Sequence, residues 1–321
     1  MRTKTMTLKP IILPVLALLA LALPARAADE GVSGGQFLRI GVDAKAAALG
    51  ETGAAAGGAR ALFYNPAGLS ALKGPELYLS HARWIGETGY SGLAFARKAG
   101  SGAFGFAAAY LSGPPIDKYD KFGNDLGETY SASDIAAAVG YCPKTDAAVA
   151  FGVNLKYIRS SLEDETASAP ALDAGLRWTA AKDKLVFGAA LQNLGGELKY
   201  AGAGDPLPLT LRAGGQYNVV IQKGRGQRMD LAFLSDASYL RDSGAALGAG
   251  VEFTSAYDKD YMFALRAGYK TAANGDASGV SGGIGLEAAA YTVDYAFAPM
   301  GGLGTTHKFS VTVKFAGIRK H

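Results

Sequence analysis

The sequence predicts an all-β transmembrane protein. The expected fold is a single antiparallel outer-membrane β-barrel of about 14 strands, with a short N-terminal helical hatch. Three observations lead there: an export signal at the N-terminus, an apolar alternation of period two that recurs along the chain, and links that alternate between long and short. Composition agrees. Of 321 residues, 49% are hydrophobic and only 19% charged, which excludes a disordered chain. Glycine is abundant, at 44 residues, but follows no triplet period, so collagen is excluded. A lone Cys142 excludes a disulfide scaffold and a cysteine metal cluster.

The first element is a signal peptide over 1–27. Arg2, Lys4 and Lys9 form its basic start, Ile11 to Leu23 its apolar stretch, and Ala25-Arg26-Ala27 its small-x-small cleavage site. The apolar stretch is shorter than the ~20 residues of a membrane-spanning helix. Cleavage removes four of the 32 basic residues and none of the 28 acids, so the exported chain is neutral. The basic balance thus belongs to the signal, and no nucleic-acid partner is expected.

The hatch follows, over 28–73. Asp43 to Leu49 is alanine-rich and favours helix. Asn65-Pro66 has the form of a helix start, with Asn65 as cap and Pro66 in the first turn. The barrel is expected over 74–316, with a tail over 317–321. In 147–159, Val149, Phe151, Val153, Leu155 and Tyr157 share one strand face, and Ala148, Ala150, Gly152, Asn154 and Lys156 share the other. Tyr261 to Lys270 and Lys308 to Phe315 repeat the pattern.

Some fourteen such segments start near Glu76, Thr88, Gly102, Ser133, Ala147, Pro170, Lys184, Pro208, Gln227, Ala245, Asp260, Gly279, Tyr291 and Thr306. A soluble sandwich or propeller accepts the same alternation. The barrel is favoured because the face read as inward carries charges of both signs: Lys156, Arg177, Arg212 and Arg266 beside Asp173, Asp230, Asp236, Glu252 and Asp294. The outward face carries Trp178, Tyr217, Tyr269, Tyr291 and Phe315 near segment ends, as an interfacial girdle would. Long links are expected at 112–132, 160–169, 195–207, 271–278 and 299–305, and short ones at 98–101, 143–146, 180–183 and 289–290. The links at 85–87 and 241–244 are tighter than this alternation requires, and that at 219–226 is longer.

The run Phe37-Leu-Arg-Ile-Gly-Val-Asp-Ala-Lys-Ala-Ala-Ala-Leu-Gly50, followed by Ala61-Leu-Phe-Tyr-Asn-Pro-Ala-Gly-Leu69, resembles the opening of the PorV/PorQ family of outer-membrane proteins. Tyr291 to Pro299, Gly302 to His307 and the last strand are similar to the end of that family. Asn65-Pro-Ala-Gly-Leu69 is shared more widely with FadL-like transporters. The resemblance implies a FadL-like barrel of fourteen strands with an N-terminal hatch. It also implies one of two roles. A PorV-like protein serves type IX secretion by binding the C-terminal domains of secreted cargo, with secretion-machinery subunits as partners. A FadL-like protein passes hydrophobic small molecules such as fatty acids through a greasy pocket near the hatch. For the first role, 112–132 and 195–207 would be contact surfaces.

No enzyme is expected. The chain has no phosphate-binding G-x-x-x-x-G-K-[ST], no H-E-x-x-H and no G-x-S-x-G. His81 and His307 fall on first and last strands, which a closed barrel makes neighbours, but no acid or oxyanion hole accompanies them. Gly301 to Gly304 lies between two strands and reads as a hairpin, and Cys142 as an incidental thiol at a turn. No cofactor or metal site is expected. The hatch and lumen candidates are Asn65, Pro66, Arg177, Arg212, Asp230, Asp236, Arg266 and Asp294. Their mixed signs predict ion pairs across the lumen rather than a single-sign constriction. The expected partners are outer-membrane lipid and either secreted cargo proteins or a hydrophobic small molecule.

Overall fold

A computed structural model of the chain describes residues 33–315 apart from 182, 201, 225–226, 258–260, 272–277 and 302–303. The signal peptide and C-terminal tail expected from the sequence lie outside the described residues, as do most of the link at 271–278 and the centre of the 301–304 hairpin.

The strands are β1 (Glu76–Arg83), β2 (Gly89–Ala99), β3 (Gly102–Ser112), β4 (Ile116–Tyr119), β5 (Asp125–Tyr130), β6 (Ala132–Pro143), β7 (Val149–Leu162), β8 (Glu165–Ala180) and β9 (Leu185–Gly195). The series continues with β10 (Glu197–Tyr200), β11 (Ala203–Pro206), β12 (Thr210–Gly224), β13 (Gln227–Leu240), β14 (Gly244–Tyr257), β15 (Tyr261–Lys270), β16 (Gly279–Ala288), β17 (Tyr291–Pro299) and β18 (Thr305–Lys314). Fourteen of them close one antiparallel barrel, sealed where β1 meets β18 from Glu76↔Lys314 to Arg83↔His307. The other four form two hairpins, β4–β5 and β10–β11, inserted in links at one rim.

The alternation read from the sequence sorts as expected. Phe151, Leu155, Leu265, Phe309 and the five girdle aromatics are exposed on the outer wall, while Asn154, Arg266, Lys308 and Asp294 are buried inside. An apolar wall running right round the molecule far exceeds the few hundred Å² that a protein in water leaves exposed, so its solvent is lipid. At the rim holding the start of β1 and the end of β18, successive strands are separated by only two to five residues. The longer links lie at the opposite rim.

Two link expectations are corrected. Residues 160–169 are no long link, because β7 and β8 stay paired to Leu162↔Glu165 and turn on Glu163 and Asp164. That part of the hairpin is polar, so it carries no apolar period although its backbone pairing continues. Likewise β12 runs on to Gly224, through a bulge between Val220 and Gln222, so 219–226 is mostly strand. The long link expected at 195–207 is present, and Glu197, Lys199 and Asp205 of its hairpin are exposed. Its β10–β11 hairpin folds over the barrel mouth and buries Leu198 and Leu207 against Phe37. The other expected contact loop, with β4–β5, is exposed.

Residues 33–75 run through the lumen from the long-link rim to the short-turn rim. Gly34 donates to the Pro206 carbonyl at the mouth (3.0 Å), and Phe315 donates to the Pro75 carbonyl at the opposite end (2.9 Å). Between these points lie the helix Ala44–Ala48 and 3-10 turns at Ala59–Phe63 and Pro66–Ala71.

Candidate functional site

The hatch is held by two kinds of contact. The first is backbone on backbone. The four alanines of Ala44–Ala48 other than Lys45 are buried, and the helix packs on Ala296 and on Gly283, where only a methyl group or less fits. Next along the hatch, Leu49 and Gly50 lie so close to Gly250 and Gly268 that a Cβ on either glycine would overlap the hatch backbone. A Cβ on Gly188 would overlap the Ala54 carbonyl in the same way. This close approach explains why glycine recurs on inward strand positions.

The second kind is ionic. Lys45 reaches Glu252 on β14 (2.8 Å), and Glu252 accepts from Arg266 Nε on β15 (2.6 Å). Arg266 Nη1 then donates to Asp294 on β17 (2.7 Å). The Arg266 side chain is 2% exposed, so the centre of this chain of alternating charge is shielded from water. At the head of the helix, Asp43 caps the Lys45 N–H, accepts from Tyr78 (3.1 Å) and pairs with Arg60. Burial pushes the Asp43 carboxyl up, but the Arg60 charge and its hydrogen bond outweigh burial, so it titrates below the ordinary 3.8. Glu51 behaves alike: burial raises it, and Lys308 at 3.1 Å with Lys270 nearby brings it below 4.5.

The residues singled out from the sequence fall into groups. Arg266 and Asp294 come together in the network just described. Arg212 and Asp236 meet at 3.5 Å, where Asp236 accepts the N–H groups of Gly53 (2.7 Å) and Ala54 (2.8 Å) and Arg212 donates to the Glu51 carbonyl (3.0 Å). Asn65 caps Pro66–Ala71 through Ala67 N (3.1 Å) and donates to the Ala54 and Leu176 carbonyls, both at 2.8 Å. Pro66 takes the first turn, where its missing N–H costs no bond. Two candidates stand apart. Arg177 is a half-buried wall residue bonded to Thr179 (2.8 Å), and Asp230 pairs with exposed Arg228 towards the short-turn rim. His81 and His307 do lie on adjacent strands, but on the outer wall, where they bond Ser91 and Tyr295.

Sequence reasoning missed the hatch partners Lys45, Glu51 and Arg60, because nothing local marks them. It also missed Gln192 and Asn193, which carry a visible sign: two polar residues in succession break the β9 alternation. There a bulge sets Asp173 of β8 against both. Both side chains turn inward, Gln192 to the Phe63 carbonyl (2.9 Å) and Asn193 to Lys156 (2.9 Å) and the Pro208 carbonyl (3.1 Å).

Between hatch and wall, on the long-link side, lies a cavity of about 90 Å³. Its apolar lining is Leu38, Ile40, Leu62 and Phe63 of the hatch with Ala107, Ala109, Ala136 and Ala138 of the wall. Its polar lining is Glu51, Lys156, Gln192, Arg212, Asp236 and Lys270, with Lys156 directly across from Ala138 on the next strand. A second void of about 10 Å³, lined by Lys45, Arg60 and Gln216, shares Asp236 with the first. It is about the size of one water.

No family model matches the sequence, and no curated protein matches it. Solved structures do. The chain is similar to the Ralstonia pickettii toluene transporter TbuX (15% identity, TM-score 0.56, covering 86% of this chain and 99% of that one). It is similar to the Pseudomonas putida toluene transporter TodX (14%, 0.53, 89% and 98%) and to a Pseudomonas aeruginosa FadL homologue (11%, 0.50, 86% and 98%). At such identity the likeness establishes a shared fold, that of the FadL-like outer-membrane channels.

Proposed function

We propose that this chain is an outer-membrane channel for small hydrophobic molecules, with long links outward and short turns towards the periplasm. The observation that carries the reading is the internal cavity, half of it apolar, held between a docked hatch and the barrel wall. Neighbours in fold whose titles name toluene transport support it. The shuttle role suggested by the N-terminal motif has less support: no neighbour cited above is titled as a secretion component. Contacts and solute passage, not bond chemistry, are the work of this site.

Uptake tests this. Whole cells with an intact outer membrane and expressing the chain should take up labelled toluene several-fold faster than cells lacking it. The gain should vanish in a variant whose Leu62 and Phe63 are both replaced by Asp. Equal uptake with and without the chain overturns the reading. The barrel should resist SDS at room temperature and shift on a gel only after boiling, which confirms that the variant is folded.

A further inference from the structure

His81 and His307 take no part in the lumen. They stand on the outer wall where β1 meets β18, at the long-link rim. There Arg83 lies directly opposite His307, and His81, two residues along β1, lies opposite Phe309. Residues two apart share a strand face, and directly opposite residues have Cβ atoms ~4.5–5.5 Å apart, so the three side chains form one group. All three are exposed. Each histidine is oriented through Nδ1: that of His81 meets Ser91 Oγ at 3.0 Å, and that of His307 meets the Tyr295 hydroxyl at 2.8 Å. The His307 ring also stacks on Tyr295, with ring centres 6.0 Å apart. A hydroxyl that donates to Nδ1 leaves the ring proton on Nε2. Neither Nε2 has a partner among the described residues. Arg83 has one carboxylate near it, Glu87 at 4.0 Å, and the two side chains are 78% and 76% exposed, so that pair holds little. The patch thus offers a guanidinium and two ring N–H groups with no committed acceptor. Just inward of it, Leu79, Val293 and Phe309 are exposed on the apolar wall, so it sits at the edge of the lipid-facing band.

We propose that this patch binds the phosphate of an outer-leaflet lipid, a phosphorylated glycolipid of the lipid A type. The inference uses the orientation given above, long links outward, and is independent of what the lumen carries. A phosphate monoester brings about two negative charges and three acceptor oxygens. Those oxygens can take bonds from the guanidinium and from both Nε2 groups, and arginine suits them geometrically. The acyl chains of the same molecule continue onto Leu79 and Phe309, a contact that a soluble anion lacks.

Native mass spectrometry of the purified, folded full-length barrel tests this, with lipid A and lipid A stripped of its phosphates as the probes. Lipid A should bind at least about tenfold more tightly, the worth of one charge-assisted bond. With His81→Gln, Arg83→Gln and His307→Gln combined, that preference should fall to about one. Arg159→Gln should keep it, since Arg159 is exposed on β7, four strands away round the barrel. The shift on an SDS gel after boiling shows that each variant is folded. Equal binding of the two lipids by the wild type overturns the inference, as does a preference that survives the triple variant. An equal loss in Arg159→Gln also overturns it, because it marks a general attraction of the rim for anions. Displacement of lipid A by inorganic phosphate at equal concentration overturns the choice of a lipid. Toluene uptake is read separately, so either reading can fail while the other stands.

Discussion

The hatch meets the barrel differently on its two sides. Against β14 to β17, Ala44–Ala48 and Leu49-Gly50 lie directly on strand backbone, and Lys45, Glu252, Arg266 and Asp294 alternate in sign through the contact. Against β3, β6, β12 and β13, the wall offers alanines and longer polar side chains, and the cavity opens there. Further along, Pro66–Ala71 also sits on strand backbone, at Gly152 of β7, so the plug stands off the wall only around the cavity. The difference lies in residue size: glycine where backbones touch, alanine or larger where they stand apart. On the channel reading proposed above, solute passage belongs to the region around the cavity, and the seated contacts keep the plug in place while that happens.

Arg266→Met tests the seated contacts most severely. It leaves Glu252 and Asp294 buried without their cation, and breaking such a pair costs ~3–5 kcal/mol. The expected readout is a large drop in the denaturant midpoint or a hatch newly open to protease, and an unchanged midpoint would show that the network holds nothing. Gly250→Val comes next, because its Cβ overlaps Leu49; overpacking of this kind costs ~1–3 kcal/mol. Its signature should be increased leak of polar solutes. The third test is acid. Asp43 and Glu51 titrate below their free values in the folded chain, so they stabilise the docked hatch above 3.8 and 4.5 respectively, and that stability is lost as pH falls through the lower folded values. Protease resistance of the hatch should therefore be flat across neutral pH and fall only in acid; a loss near neutrality would contradict it. The smallest effect is expected from Ala136→Val in the cavity wall. Its methyl borders the cavity, so folding stability should move by less than ~1 kcal/mol while uptake of ring compounds slows.

Much of the barrel was legible because lipid selects the outer face. Val149, Phe151 and Leu155 mark β7 unambiguously, and the strand starts read from such alternation mostly fall within two residues of the observed ones. The exception is instructive. β8 begins at Glu165, not near Pro170, because the hairpin it forms with β7 extends into a stretch without apolar alternation. The candidate site was legible only in part. Arg212, Asp236, Arg266 and Asp294 follow from strand parity. Their hatch partners do not, since Lys45 and Glu252 are 207 positions apart and only the folded lumen joins them. The cavity itself is a gap between two elements, and no local pattern encodes a gap.

The path of residues 33–75 also bears on assembly. This segment precedes β1 in the chain, yet it threads the lumen from one rim to the other and ends beside the seam of β1 with β18. That seam joins the first and last strands, the pairing of greatest sequence separation and therefore among the slowest contacts to form. This path predicts that the barrel wraps around the hatch, with the seam of β1 and β18 closing last and locking it in.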